Sequence, residues 1–96
     1  MKLSEAILKG CEGTRKYAGH YFDHKNPIEC CAFGAAAIAI FGEKESFESF
    51  QLHSLTKKLE KQFDLPKNIW QEVIRLNDKT DASRESIAAW LVEQGY

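Results

Sequence analysis

The sequence predicts an all-α fold: a compact bundle of about five short helices around a buried central helix at about residues 27–41. Three observations lead there. The stretch from Asn26 to Gly42 is apolar on every side, as an element enclosed by protein must be. Apolar residues elsewhere recur at three- and four-residue spacing, and no stretch alternates as a half-buried strand would. Ser, Asn, Asp and Pro punctuate the chain where helices would start and stop.

Taken in order, Ser4 is placed to cap a first helix, with Leu3 as a hydrophobic staple and Glu5 in the first turn. Ile7, Leu8 and Cys11 share one side of it, and Gly10 and Gly13 weaken its end. From Thr14 to Lys25 there is no helical stripe, only aromatics and two histidines, which reads as an irregular or extended surface loop. Tyr17, Tyr21 and Phe22 are expected to cover one flank of the central helix. In that helix Asn26 is the expected N-cap, Pro27 the first-turn residue, Glu29 the capping-box acid and Gly42 the stop. Its small residues, Gly34 and Ala35 among them, would let neighbouring helices approach closely.

Beyond Gly42, Ser46 is the expected next cap. Phe47 and Phe50 share a face, but Phe50 falls opposite Leu52, Leu55, Leu59 and Phe63 at ~100° per residue. A turn around Phe47 to Phe50 and a break before a Leu52–Phe63 helix are therefore expected. Pro66 restarts the chain in the first turn of another helix, whose apolar arc holds Ile69, Trp70, Val73, Ile74 and Leu76. Asn77 falls inside that arc, where a polar side chain must bond to a backbone group, as a cap or as a bridge to the next loop. Ser83 is the expected cap of the last helix, which Gly95 ends.

Ninety-six residues, 44% of them hydrophobic and 28% charged, suit one globular domain over 1–96. A net charge of -1 is too low in Lys and Arg for electrostatic binding of nucleic acid. The central apolar stretch is shorter than the ~20 residues a membrane span needs, so no membrane association is expected. Met1 leads straight into an amphipathic segment with acid in it, and three cysteines leave an odd thiol, which together read as a cytoplasmic protein.

Two segments carry a family resemblance. Cys31-Ala32-Phe33-Gly34-Ala35-Ala36 is the first; Leu76-Asn77-Asp78 followed by Ser83-Arg84-Glu85-Ser86-Ile87-Ala88-Ala89-Trp90-Leu91 is the second. With Tyr21-Phe22 ahead of them, they resemble a family of small uncharacterised bacterial and phage-associated proteins. That family has a Cys-Ala-x-Gly-Ala helix and an Asn-Asp loop running into Ser-Arg-Glu-x-Ile-Ala-x-Trp-Leu. The resemblance implies a single cytoplasmic helical domain and brings no activity or cofactor with it. Cys30 and the pair His20 and His24 stand outside its pattern.

Several groupings could carry chemistry. His20, Asp23, His24, Cys30 and Cys31 lie within twelve residues and are all zinc-ligand types, so a metal- or thiol-dependent site built from His20, His24, Cys30 and Cys31 is the alternative reading. The run Cys30 to Ala35 also resembles the Cys-Trp-Ala-Phe-Ser-Ala start of the catalytic helix in papain-type proteases, with Cys30 on the nucleophile. That likeness covers six residues, and this chain is too short for the two-lobed protease fold. The Ile69–Asn77 helix, a turn and Ser83–Leu91 read like the start of a helix-turn-helix unit, but Tyr96 falls where its recognition helix would begin. The acids between Asn77 and Glu85 lack the glycine and ligand order of an EF-hand. Eleven aromatics (six Phe, three Tyr, two Trp) remain. Tyr17, Tyr21, Phe22, Phe47 and Phe50 are accordingly the expected surface for a protein partner or for self-association, in a non-catalytic interaction or regulatory module.

Overall fold

The computed structural model describes residues 1–96, the side chain of Pro27 excepted. Among the described residues there are six helices and three short strands. The helices are α1 (Leu3–Cys11), α2 (Ala32–Phe41), α3 (Glu43–Gln51), α4 (Leu55–Gln62), α5 (Lys67–Lys79) and α6 (Arg84–Glu93). The strands are β1 (Arg15–Lys16), β2 (Phe22–Asp23) and β3 (Asn26–Cys30), in sheet order β1-β3-β2. The fold is thus predominantly helical but not all-α. No helix among the described residues is long and apolar enough to cross a membrane.

The sheet corrects the expected start of the central helix. Residues 26–30 form β3, and α2 begins only at Ala32. A residue before proline favours extended backbone, which an N-cap and a strand share, so it is pairing with β2 that places Asn26 in the strand. Its Oδ1 faces the Ile28 N–H at 3.4 Å, a local turn contact in place of the expected helix cap. β3 pairs antiparallel with β2, placing Phe22 opposite Cys30, and parallel with β1, placing Lys16 beside Cys30. Phe22 and Cys30 are both fully buried, so pairing removes them from water and satisfies the backbone at once. The capping signature and a hairpin turn use the same residue types here.

α2 packs as its small residues require. A Cβ on Gly10 would collide with the Ala35 backbone, so α1 crosses α2 at that point. On another side, a Cβ on Gly34 would run into the Tyr21 carbonyl and the Cys30 side chain. Phe22, Phe33, Leu55, Leu59, Val73 and Ile87 complete the buried cluster around it. The last turn of α2, Ile38 to Phe41, is only partly buried.

Three expected boundaries also move. α1 starts one residue ahead of Ser4; the Lys2 N–H donates to the Glu5 carboxylate at 2.8 Å, and Ser4 is buried inside the helix. α3 begins directly after Gly42, whose φ of 86° ends α2 and opens the next helix, so Ser46 lies within α3 and not at its cap. Phe47 and Phe50 therefore sit on a helix. The break falls at Leu52–Ser54, where His53 takes a φ of 60° and Leu52 is 71% exposed. Ser83 caps α6, its Oγ accepting the Ser86 N–H at 3.0 Å.

Candidate functional site: a cleft at the head of the central helix

Successive residues of an extended chain point to opposite sides. At the junction of β3 and α2 this separates two neighbouring cysteines. Cys31 lines an open cleft of about 290 Å³. Cys30 turns to a closed polar knot around Arg84.

The cleft is bounded by the Gly19–Tyr21 segment, the first turn of α2, the α3–α4 break and the second half of α5. Phe33, Leu55 and Val73 give it an apolar floor, and Phe33 stacks on Trp70 at 4.2 Å between ring centroids. Tyr21 and Phe50 stand as walls, edge to face at 6.3 Å. The Tyr21 hydroxyl pairs with Thr56 Oγ1 at 2.6 Å across the rim, and burial pushes the phenol pKa up. His20 and His53 complete the rim from the two sides.

The head of α2 is closed by side chains. Four N–H groups at a helix start have no partner inside the helix. Asn77 Oδ1, from the end of α5, accepts the first of them from Ala32 at 3.1 Å. Cys31 is the N-cap, and its Sγ accepts from Gly34 N–H at 3.4 Å. Asn77 Nδ2 donates to the Tyr17 carbonyl and to Asp78 Oδ1, both at 2.9 Å. Asp78 Oδ1 also accepts the Gly19 N–H at 3.0 Å, which fixes the carboxylate beside the cleft. Burial pushes the Cys31 thiol up to about 12 despite its bond from Gly34. It is a neutral thiol near neutral pH, and a poor nucleophile in that form.

On the other side of the junction Cys30 is fully buried. Arg84 is 4% exposed and donates through Nη2 to the Thr14 carbonyl at 2.8 Å. Its Nη1 reaches Thr14 Oγ1 at 2.8 Å, Cys30 Sγ at 3.3 Å and the Cys30 carbonyl at 3.4 Å. Among the described residues this buried guanidinium has no carboxylate within ion-pair distance. Burial raises the Cys30 thiol pKa, with Thr14 and Arg84 pulling the other way.

The residues singled out from the sequence are thus dispersed. His20 and His24 are exposed neighbours, their ring centroids 5.8 Å apart, and His24 leans on Phe50 at 4.8 Å. Cys30 and Cys31 are buried and divided between the knot and the cleft. Among the described residues no group of three or more His, Cys, Asp or Glu side chains is placed to hold a metal ion. Of the five expected surface aromatics, Phe22 is buried outright and belongs to the core. Tyr21, Phe47 and Phe50 pack partly against that core. Tyr17 is half-buried, its carbonyl held by Asn77.

Sequence reasoning gave no site role to Arg84, Asp78, His53 or Thr56, although Asp78 was among the acids weighed and rejected for calcium. Two of them left a signal. A cation in the first turn of a helix and an acid in the last turn both oppose the helix dipole. Arg84 opens α6 and Asp78 lies in the final turn of α5. Each is held by a partner far along the chain, which overrides a local preference worth about 0.3–1 kcal/mol. No family model, curated protein or solved structure matches the chain.

Proposed function

We propose that the protein is a non-catalytic binding module, and that it seats one side chain of a protein partner in the cleft at the head of α2. The observation that carries this reading is the cleft itself: an apolar, aromatic floor with hydroxyl, imidazole and carboxylate groups confined to its rim. Recognition sites have that composition. At about 290 Å³ it is at the small end of ligand pockets, which run from roughly 300 to 1,000 Å³. Its size suits a single anchoring residue better than a whole cofactor. The thiol beside it is held protonated, which favours binding over covalent catalysis.

The free thiols at Cys11, Cys30 and Cys31 support a reducing compartment such as the cytoplasm. The resemblance to small bacterial and phage-associated proteins gives the setting proposed for a regulatory partner.

Selection of a displayed random-peptide library on the immobilised protein tests the reading. Peptides are expected whose affinity drops at least tenfold for Thr56→Trp, where an indole on the rim fills the cleft. Peptides that bind the filled variant equally well, or no selected peptide at all, would reject the cleft as the recognition site.

A further inference from the structure

The cleft carries a sign of charge, and this extends the reading just given, on which it rests. Among the described residues that line it, Asp78 is the one carboxylate, and there is no Lys or Arg. Among the described residues Asp78 has no ion-pair partner within reach. Its Oδ1 is pinned by the Gly19 N–H and Asn77 Nδ2, so the carboxylate is oriented before anything binds. The C-terminal end of α5 is already answered by Lys79 in its last turn and by Lys16 Nζ on the Thr80 carbonyl at 3.2 Å, so the negative charge offered to the cleft is that of Asp78 itself.

We infer that the cleft receives a cationic side chain, a lysine or arginine from an extended segment of the partner protein, with Asp78 as the anionic contact and Tyr21 and Phe50 as aromatic walls. Faces of such rings attract an ammonium or guanidinium within about 6 Å of the centroid. The long apolar stem of Lys or Arg suits the floor made by Phe33, Leu55 and Val73. The Thr56 hydroxyl on the rim can accept a hydrogen bond from the cation.

The opposing field comes from the head of α2. A helix start is equivalent to roughly half a positive charge. Here two of its donors, on Ala32 and Gly34, already have side-chain partners, so they are not offered to an anion. A full negative charge on the rim outweighs a capped half charge behind it. An acidic or phosphorylated side chain is therefore disfavoured.

The test uses the full chain, labelled with ¹⁵N, and five peptides of the form acetyl-Gly-Gly-X-Gly-Gly-amide, with X as Arg, Lys, norleucine, Phe or Glu. Arg and Lys peptides are expected to shift the amide signals of Gly19, Ala32 and Asn77 at millimolar concentrations. The norleucine peptide, a neutral match for the Lys stem, should bind roughly fivefold more weakly. Asp78→Asn keeps an oxygen for Gly19 and Asn77 while removing the charge, and should bring Arg and Lys down to the norleucine level. Equal binding of norleucine or Phe, with Asp78→Asn without effect, overturns the cation inference and leaves the cleft as a neutral receptor. Shifts by Arg and Lys outside the cleft, or persisting in Asp78→Asn, also overturn it. If no peptide moves the cleft signals, the binding reading fails with it. The native protein compared across peptides decides the question even if the variant folds poorly.

Discussion

Cys30 and Cys31 are neighbours in sequence and opposites in setting. Around Cys30 the chain spends a buried charge to tie three segments together: the α1–β1 turn at Thr14, the end of β3 and the start of α6. Around Cys31 it leaves a gap, with the polar groups drawn back to a rim and apolar rings left below. One side is full and fastened; the other is fastened only around its edge. A protein this small shows in that contrast which polar groups serve its own stability and which are left over for something else.

Removing the fastening should give the largest effect. Arg84→Ala strips the hydrogen bonds to Thr14 and Cys30 and leaves a cavity in the interior. A loss of about 3 kcal/mol in urea denaturation is expected. Arg84→Met, which keeps the bulk but not the donors, should recover part of it. A loss under ~1 kcal/mol for Arg84→Ala would mean that the knot is slack and the contrast between the two sides false.

A pH-dependent effect of another kind is expected from alkali. Burial lifts the Cys31 thiol from 9.0 to about 12, and the Cys11 thiol from 9.0 to about 11. A thiol whose pKa is higher folded than unfolded contributes fully only below the unfolded value. That contribution is lost as pH rises through the folded value. The denaturation midpoint should fall between pH 9 and 12, and Cys31→Ala should flatten the fall more than Cys11→Ala does. Equal slopes in the native protein and Cys31→Ala would show Cys31 to be in contact with water, and the cleft to reach deeper than its rim.

The rim itself should matter least. Thr56→Val removes the hydroxyl that meets Tyr21 across the opening, but both residues are reached by water, which replaces the bond. Stability should change by no more than about 0.5 kcal/mol in the same denaturation assay. A loss several times larger would make Tyr21 and Thr56 a structural clasp and not part of an open receptor.

Much of the helical content could be read from the chain. The α5 helix and the Ser83 cap depend on local spacing, and both stand where local spacing puts them, although Ile74 of the expected arc is 42% exposed. The sheet could not be read in this way. β1 and β2 are two residues each, too short for alternation to register, and β3 exists because Phe22 and Cys30 meet across it. Asn26 could cap a helix or enter a hairpin on local grounds alone, and pairing with β2, where Asp23 faces Asn26, settled the matter. Asn77 was legible as a polar side chain that needed a backbone partner. Its partners, Tyr17 and Ala32, come from regions that no local rule connects to it. Cleft residues such as His53 and Thr56 sit beside the Leu52 break, where spacing marked a discontinuity but not what it would enclose.

The bond from Ala32 to Asn77 spans 45 positions, and the grip of Arg84 on Thr14 spans 70. During synthesis, then, the central helix is made long before the residues that finish it. α1 and α2 can pair early through Gly10 and Ala35, but the head of α2 keeps an unpaired donor, and Phe33 an uncovered ring, until α5 emerges. Closing contacts between distant segments is the slow part of folding small domains. The nascent chain accordingly passes through a stage with its most apolar element exposed, and that is the stage at which aggregation or a chaperone competes for it.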